Sequence, residues 1–88
     1  MLVMLCRNRV RDFATWKREF DSQPDALKDA GLKLTHLWRD VEDPNNVFFL
    51  FEVADQQKAV AFISSPDSAE VGKRSGVLDG ECHFLEGE

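Results

Sequence analysis

The chain has 88 residues, of which 43% are hydrophobic and 31% charged, and its formal net charge is −5. That is enough for one small globular domain, so residues 1–88 are read as a single unit. The acidic balance excludes nucleic acid as a partner, since such binding sets lysines and arginines against phosphates, and no apolar run is long enough to cross a bilayer.

In chain order, residues 1–9 read as a first strand. Its six leading apolar residues, MLVMLC, are too few for the core of a signal peptide, so the strand is expected to be retained in a cytoplasmic protein. Asp12 is placed to cap a helix in which Phe13, Trp16 and Phe20 recur as one buried stripe. Ser22-Gln23-Pro24 breaks that helix, because proline lacks the amide donor a continuing turn needs. Ser22 and Asp25 have capping-box spacing for a restarted helix. Leu27 and Ala30 continue the apolar face, and Gly31 ends it.

Leu32 to Val53 then reads as a hairpin, with Pro44 and two asparagines in its turn. Val47 to Phe51 is five apolar residues in a row, the mark of a strand covered on both sides rather than wet on one. Asp55 caps a short helix carrying Val60, Phe62 and Ile63, and Ser65-Pro66 starts another with proline at its favoured first position. Gly76 closes that helix, and Val77 to Leu85 is the last strand.

Two βαβ runs joined by a tight hairpin predict an α+β fold of the ferredoxin-like βαββαβ kind. It is a four-stranded antiparallel sheet with the first and third strands central and the helices on one face. The opposite face is left bare, and something else must cover it. Cys6 and Cys82 form no metal-binding spacing. They fall on neighbouring strands through topology alone, and in a reducing compartment they are expected to pack as small hydrophobes without a disulfide.

Through Gly31, the Leu37-Trp38-Arg39-Asp40 strand end, the Asp43-Pro44-Asn45 turn, Phe51-Glu52, Ala59, Phe62 and Ser65-Pro66, the chain resembles the dimeric α+β barrel superfamily, and within it the antibiotic-biosynthesis-monooxygenase-like group. The resemblance implies a homodimer in which two sheets meet through their open faces and form a barrel with a small pocket in each protomer. Members of this superfamily oxidise polyphenols with oxygen and neither metal nor flavin, isomerise lactones, degrade haem, or have no known activity. This chain departs from the oxygenases in two ways. Ala54 stands where that group commonly has tryptophan, and there is no tyrosine to anchor a substrate oxygen.

With Asp43 to Asn46 as the hairpin loop, Glu42 faces Val47, Trp38 faces Phe51 and Arg39 faces Leu50. Leu34, His36, Trp38, Phe49, Phe51 and Val53 then share the helix-covered face. Thr35, Leu37, Arg39, Val41, Phe48, Leu50 and Glu52 share the open one. Arg39 and Glu52 lie diagonally on that open face. Arg39 would bind an anionic or phenolate oxygen, and Glu52, its pKa raised between Phe48 and Leu50, would serve as general base. A purely structural interface pair is the competing account. His36 is a second candidate proton acceptor, or else a hydrogen-bonded core residue. Leu37, Trp38, Phe48 and Leu50 complete the expected ligand-binding set, while Trp16 is assigned to the core. Arg7, Asn8 and Arg9 either rim the pocket or solubilise an edge. Cys6, Cys82, His36 and His83 would reach a metal only from different faces, so no metal site is expected. No glycine-rich phosphate loop calls for a cofactor.

The expected function is a homodimer that binds or transforms a small hydrophobic or aromatic acid between sheet and partner, without cofactor, in the manner of a monooxygenase or isomerase. The alternative is a non-catalytic dimeric domain with a structural or metabolite-sensing role. The sequence leaves open whether the protein is an enzyme.

Overall fold

A computed structural model describes every residue except Gln23. The chain runs β1 (Leu2–Val10), α1 (Phe13–Asp21), α2 (Pro24–Asp29), β2 (Leu32–Arg39), β3 (Asn46–Val53), α3 (Gln56–Ile63), α4 (Pro66–Arg74) and β4 (Val77–Glu86). The strands form one antiparallel sheet in the order β2-β3-β1-β4. This is the expected ferredoxin-like architecture, with β1 and β3 central.

Local chemistry sets the element ends. Asp12 accepts a hydrogen bond from the Thr15 amide, and Asn45 Oδ1 accepts one from the Phe13 amide at 3.1 Å. Two of the four unpaired donors at the start of α1 are thereby met. The Val10 amide also donates to the Asn45 carbonyl at 2.8 Å, pinning the hairpin tip to the β1–α1 junction. Asp55 and Ser65 cap α3 and α4 as expected. Gly31 takes a positive φ of 71°, which a side chain would resist, and its carbonyl receives the Ala54 amide. The proposed break includes Gln23, which lies outside the described residues. Ser22 caps the end of α1, its hydroxyl donating to the Glu19 carbonyl at 2.6 Å, and is not seen bonded to Asp25.

The core lies between the helices and one sheet face. Val47, Phe49, Phe51 and Val53 of β3 are buried in strict alternation, beside Met4, Cys6, Val10 and Trp16. Trp16 stacks on Phe20 with centroids 4.9 Å apart and meets Phe49 at 5.4 Å, contacts worth roughly 0.5–1.5 kcal/mol beyond area burial. On α3 it is Ala59 and Phe62 that turn inward, while Val60 and Ile63 are exposed. Among the described residues no helix is long and apolar enough to cross a membrane.

Two expectations are corrected. The first concerns the hairpin register. Arg39 faces Val47, Trp38 faces Phe48, Leu37 faces Phe49 and His36 faces Leu50, whereas Leu34 faces Phe51 and Lys33 faces Glu52. The turn is longer than supposed, because the Asp40 and Asp43 carboxylates accept the Glu42 and Asn45 amides and end β2 at Arg39. Within β2, Thr35 is an extra residue between the paired Leu34 and His36. Such a bulge breaks the period-two rule for everything beyond it.

The second concerns the cysteines. Cys6 and Cys82 stand directly opposite each other on β1 and β4, with Cα atoms 4.1 Å apart, and are joined in a disulfide. Antiparallel register, as well as strand order, points the two side chains from the same face.

Candidate functional site

The sheet presents two candidate surfaces. On its open face, His36, Trp38, Phe48, Leu50 and Glu52 come together with Val3 and Leu5 of β1. The His36 and Trp38 rings stack, 4.9 Å apart and 14° from parallel. Thr35 Oγ1 donates to the Leu50 carbonyl at 3.2 Å and lies 3.1 Å from His36 Nδ1. The Thr35 hydroxyl thus bridges the Leu50 carbonyl and the His36 ring. Glu52 is partly exposed, and Lys33 Nζ lies 3.9 Å from its Oε2.

Leu37 and Arg39 do not join this group. The bulge at Thr35 and the longer turn put both on the helix-covered side. The guanidinium of Arg39 lies over the Phe13 ring, 3.9 Å from its centroid, and its Nε donates to the Pro44 carbonyl at 2.9 Å. The expected pairing of Arg39 with Glu52 is therefore replaced by two separate arrangements, one on each face.

The β4 end of the open face is charged. Arg7 donates from Nε to Glu81, from Nη2 to Asp79 and from Nη1 to Asn46 Oδ1. Arg9 also pairs with Asp79. The hydrogen bond from His83, then that from Arg7, holds the Glu81 carboxyl below its ordinary range. Arg7 is held correspondingly more basic, first by Glu81 and then by Asp79. His83 and His36 are thus on the open face, while Cys6 and Cys82 are on the other. Among the described residues no set of three or more His, Cys, Asp or Glu side chains converges as a metal site.

The cavity lies on the opposite side of the sheet from the one expected. About 500 Å³ of space opens between helices and sheet, walled by Trp16, Phe20, Phe49 and Phe51, by the Cys6–Cys82 pair, and by α4. Its cause is local. The cavity-lining positions of α4 are Ser68, Ala69, Val71 and Gly72, with Ser75 at its C-cap, and all but Val71 are small. A β-carbon on Gly72 would meet nothing within 4 Å. Across the gap, Gly80 of β4 adds no side chain, and Asn8 of β1 lies so close over it that a β-carbon there would overlap Asn8 Oδ1. Asn8 therefore reaches the cavity, while Arg7 and Arg9 beside it serve the open face. The lining contains no lysine, arginine or histidine, and Glu81, which borders it, directs its carboxylate to Arg7 and His83. The small inward face of α4 was the readable signal for this space.

No family model matches the chain, and no curated protein matches it. Solved structures do. A candidate antibiotic biosynthesis monooxygenase from Bordetella bronchiseptica aligns with a TM-score of 0.76 at 16% identity, over 99% of this chain and 96% of that one. An antibiotic biosynthesis monooxygenase aligns at 0.70 and 15% identity, over 100% of this chain and 99% of that one. An uncharacterised NIPSNAP domain protein from Burkholderia xenovorans aligns at 0.69 and 15% identity, over 100% and 95%. At such identities the likeness is one of fold. The chain shares the ferredoxin-like α+β fold of these structures.

Proposed function

We propose that this protein binds a small uncharged apolar or aromatic molecule in the helix-side cavity and associates with a second copy through its open sheet face. The cavity is the observation that carries this reading. Its volume of about 500 Å³ falls inside the range of small-molecule sites. Its wall offers stacked aromatic surface from Trp16, Phe20 and Phe49, and Asn8 supplies an amide that can both donate and accept. An acid, the class first expected through Arg39, would find no cation in the lining, and an unpaired buried carboxylate is costly. A neutral ligand fits better. The open face, with Trp38, Phe48, Leu50, Val3 and Leu5 uncovered by any helix, suits association with an identical apolar sheet face. Nothing in the proposal depends on a metal or cofactor.

The second reading is catalytic. The neighbours described as antibiotic biosynthesis monooxygenases support it through the shared fold. In this chain the proton acceptors proposed for it, Glu52 and His36, lie on the open face with Trp38, Phe48 and Leu50. They would act on a molecule held between two sheets. Leu37 and Arg39 would contribute only from the other side.

Titration with N-phenyl-1-naphthylamine, a neutral fluorescent aromatic, tests the first reading and separates it from the second. Gly72→Leu should fill the cavity and weaken binding by at least about tenfold, while the helix gains from losing its glycine. If Gly72→Leu binds as the parent does and Trp38→Ala does not, the site is the open face instead. Oxygen uptake on adding a hydroquinone then distinguishes catalysis from binding.

A further inference from the structure

We propose that the Cys6–Cys82 pair is a thiol–disulfide switch in the wall of the helix-side cavity. Oxidised, it holds β4 against β1 and closes the cavity's outer wall; reduced by a small thiol, it lets that wall part and release the ligand. The proposal rests on the cavity as the binding site and adds its control.

Three observations support it. Both cysteines line the cavity, so the bond is part of the wall itself. The two residues differ in exposure: Cys6 is 1% exposed in the core, whereas Cys82 is an exposed residue of the edge strand. A reductant arriving from solvent meets Cys82 first.

Third, β4 is the edge strand of that wall, joined to the sheet through β1 alone. Val77 and Phe84 alone among its ten residues are even half-buried. Its ladder to β1 shifts register between Arg9 and Val10, and Gly80 contributes no side chain to the packing. The ion pairs from Arg7 and Arg9 to Asp79 and Glu81 involve partly exposed groups, a setting in which such pairs hold little. Among the other walls, β1, β3 and α1 contribute the buried core residues Met4, Phe49, Phe51 and Trp16, and α4 contributes its small residues. The disulfide thus ties the edge strand of the cavity wall to the buried core at Cys6.

The exchange chemistry balances. A thiolate of a small dithiol attacks Cys82 Sγ, forming a mixed disulfide, and Cys6 leaves as a thiolate that takes up the proton the attacking thiol lost. The second thiol of the reductant attacks the mixed disulfide and frees Cys82. The protein gains two electrons and two protons, and the dithiol is oxidised to its own disulfide. Burial among apolar neighbours makes Cys6 a poor leaving thiolate, so exchange is slow. The protein can therefore be held in either state during a titration.

The test is to titrate N-phenyl-1-naphthylamine into oxidised protein and into protein reduced with dithiothreitol, with the thiol state read by alkylation and mass spectrometry. Reduction should weaken binding by at least about fivefold and raise amide exchange across Gly80–Glu86, with the far-UV spectrum retained. The double variant Cys6→Ala/Cys82→Ala should bind as the reduced protein does and ignore dithiothreitol. Equal affinity in both states overturns the switch and leaves the cavity reading intact. A probe that binds neither state removes the cavity reading and the switch with it. Loss of the far-UV signal on reduction would make the bond a staple of the whole fold, and cysteines that stay alkylatable under oxidising conditions would show no bond to break. Either result overturns the proposal. Should the double variant fail to fold, reversible reduction of the parent chain carries the test.

Discussion

Arg39 and Glu52 stand on opposite faces of the sheet, the first over the Phe13 ring on the helix side and the second beside Lys33 on the open side. Arg39 is therefore expected to act on stability and not on the ligand. Its cation–π contact contributes about 0.5–1 kcal/mol, and its hydrogen bond to the Pro44 carbonyl a comparable amount. Arg39→Ala should lower the melting temperature by roughly 4–8 °C per kcal/mol lost, as for other domains of this size. Its affinity for N-phenyl-1-naphthylamine should stay within about twofold of the parent. Loss of binding without loss of stability would contradict the face assignment.

Trp38 is 47% exposed on the open face of the edge strand β2 and stacked on His36. If two copies meet through this face, Trp38→Glu buries a charge in the interface. A loss of at least about 2 kcal/mol, the scale of an interface hot spot, is expected. Light scattering should then fall from twice the chain mass of 10.0 kDa to that mass. Binding of the probe in the helix-side cavity should survive in the monomer.

Gly80 is expected to be intolerant even of alanine. A β-carbon there would overlap Asn8 Oδ1 and lie 2.9 Å from the Arg7 carbonyl oxygen. The side-chain conflict can be relieved by rotation or by Asn8→Ala, but the backbone conflict cannot. Gly80→Ala should cost about 1–3 kcal/mol, typical of overpacking, and Asn8→Ala/Gly80→Ala should recover only part of it in a denaturant titration.

The acid side of the stability profile has named contributors. The Thr15 hydroxyl, then the Thr15 amide, holds the Asp12 carboxyl below its ordinary 3.8. His83, then Arg7, holds Glu81 below its ordinary 4.5. For a carboxyl depressed in the folded state, the unfolded chain binds more protons in the window between the two values. Its contribution is complete above the ordinary value and is lost as pH falls through the folded one. Melting temperature should therefore decline on acidification below about pH 4.5. Asp12→Asn keeps the capping oxygen without the titration, so its profile should fall less steeply over the acid range. A variant profile parallel to the parent's would rule Asp12 out as a contributor.

Element ends were legible because single residues dictate them. Asp12, Asp55 and the Ser65-Pro66 step mark helix starts, and Gly31 and Gly76 mark stops, and all act where the chain chemistry places them. The strand order followed from the element order. The faces of β2 did not, because a bulge leaves no trace in composition: Thr35 interrupts the alternation, so Leu37 and Arg39 turn to the helix side and His36 and Trp38, expected there, turn to the open face. The cavity escaped notice because it is made by what is missing at Gly72, Ser68, Ser75 and Gly80. Sequence patterns weigh the large residues that fill space. The proximity of Cys6 and Cys82 was likewise a matter of topology, but their bonding also needs the two side chains to leave the same face directly opposite each other.

β3 divides its residues between the two surfaces. Val47, Phe49, Phe51 and Val53 face the helices, and Phe48, Leu50 and Glu52 face away. One backbone thickness is all that separates a guest in the cavity from a second copy on the open face. A guest that displaces this strand must alter the association constant, and association must then alter the affinity for the guest by the same factor. A thermodynamic cycle closed from four binding measurements would give the size of that reciprocity directly.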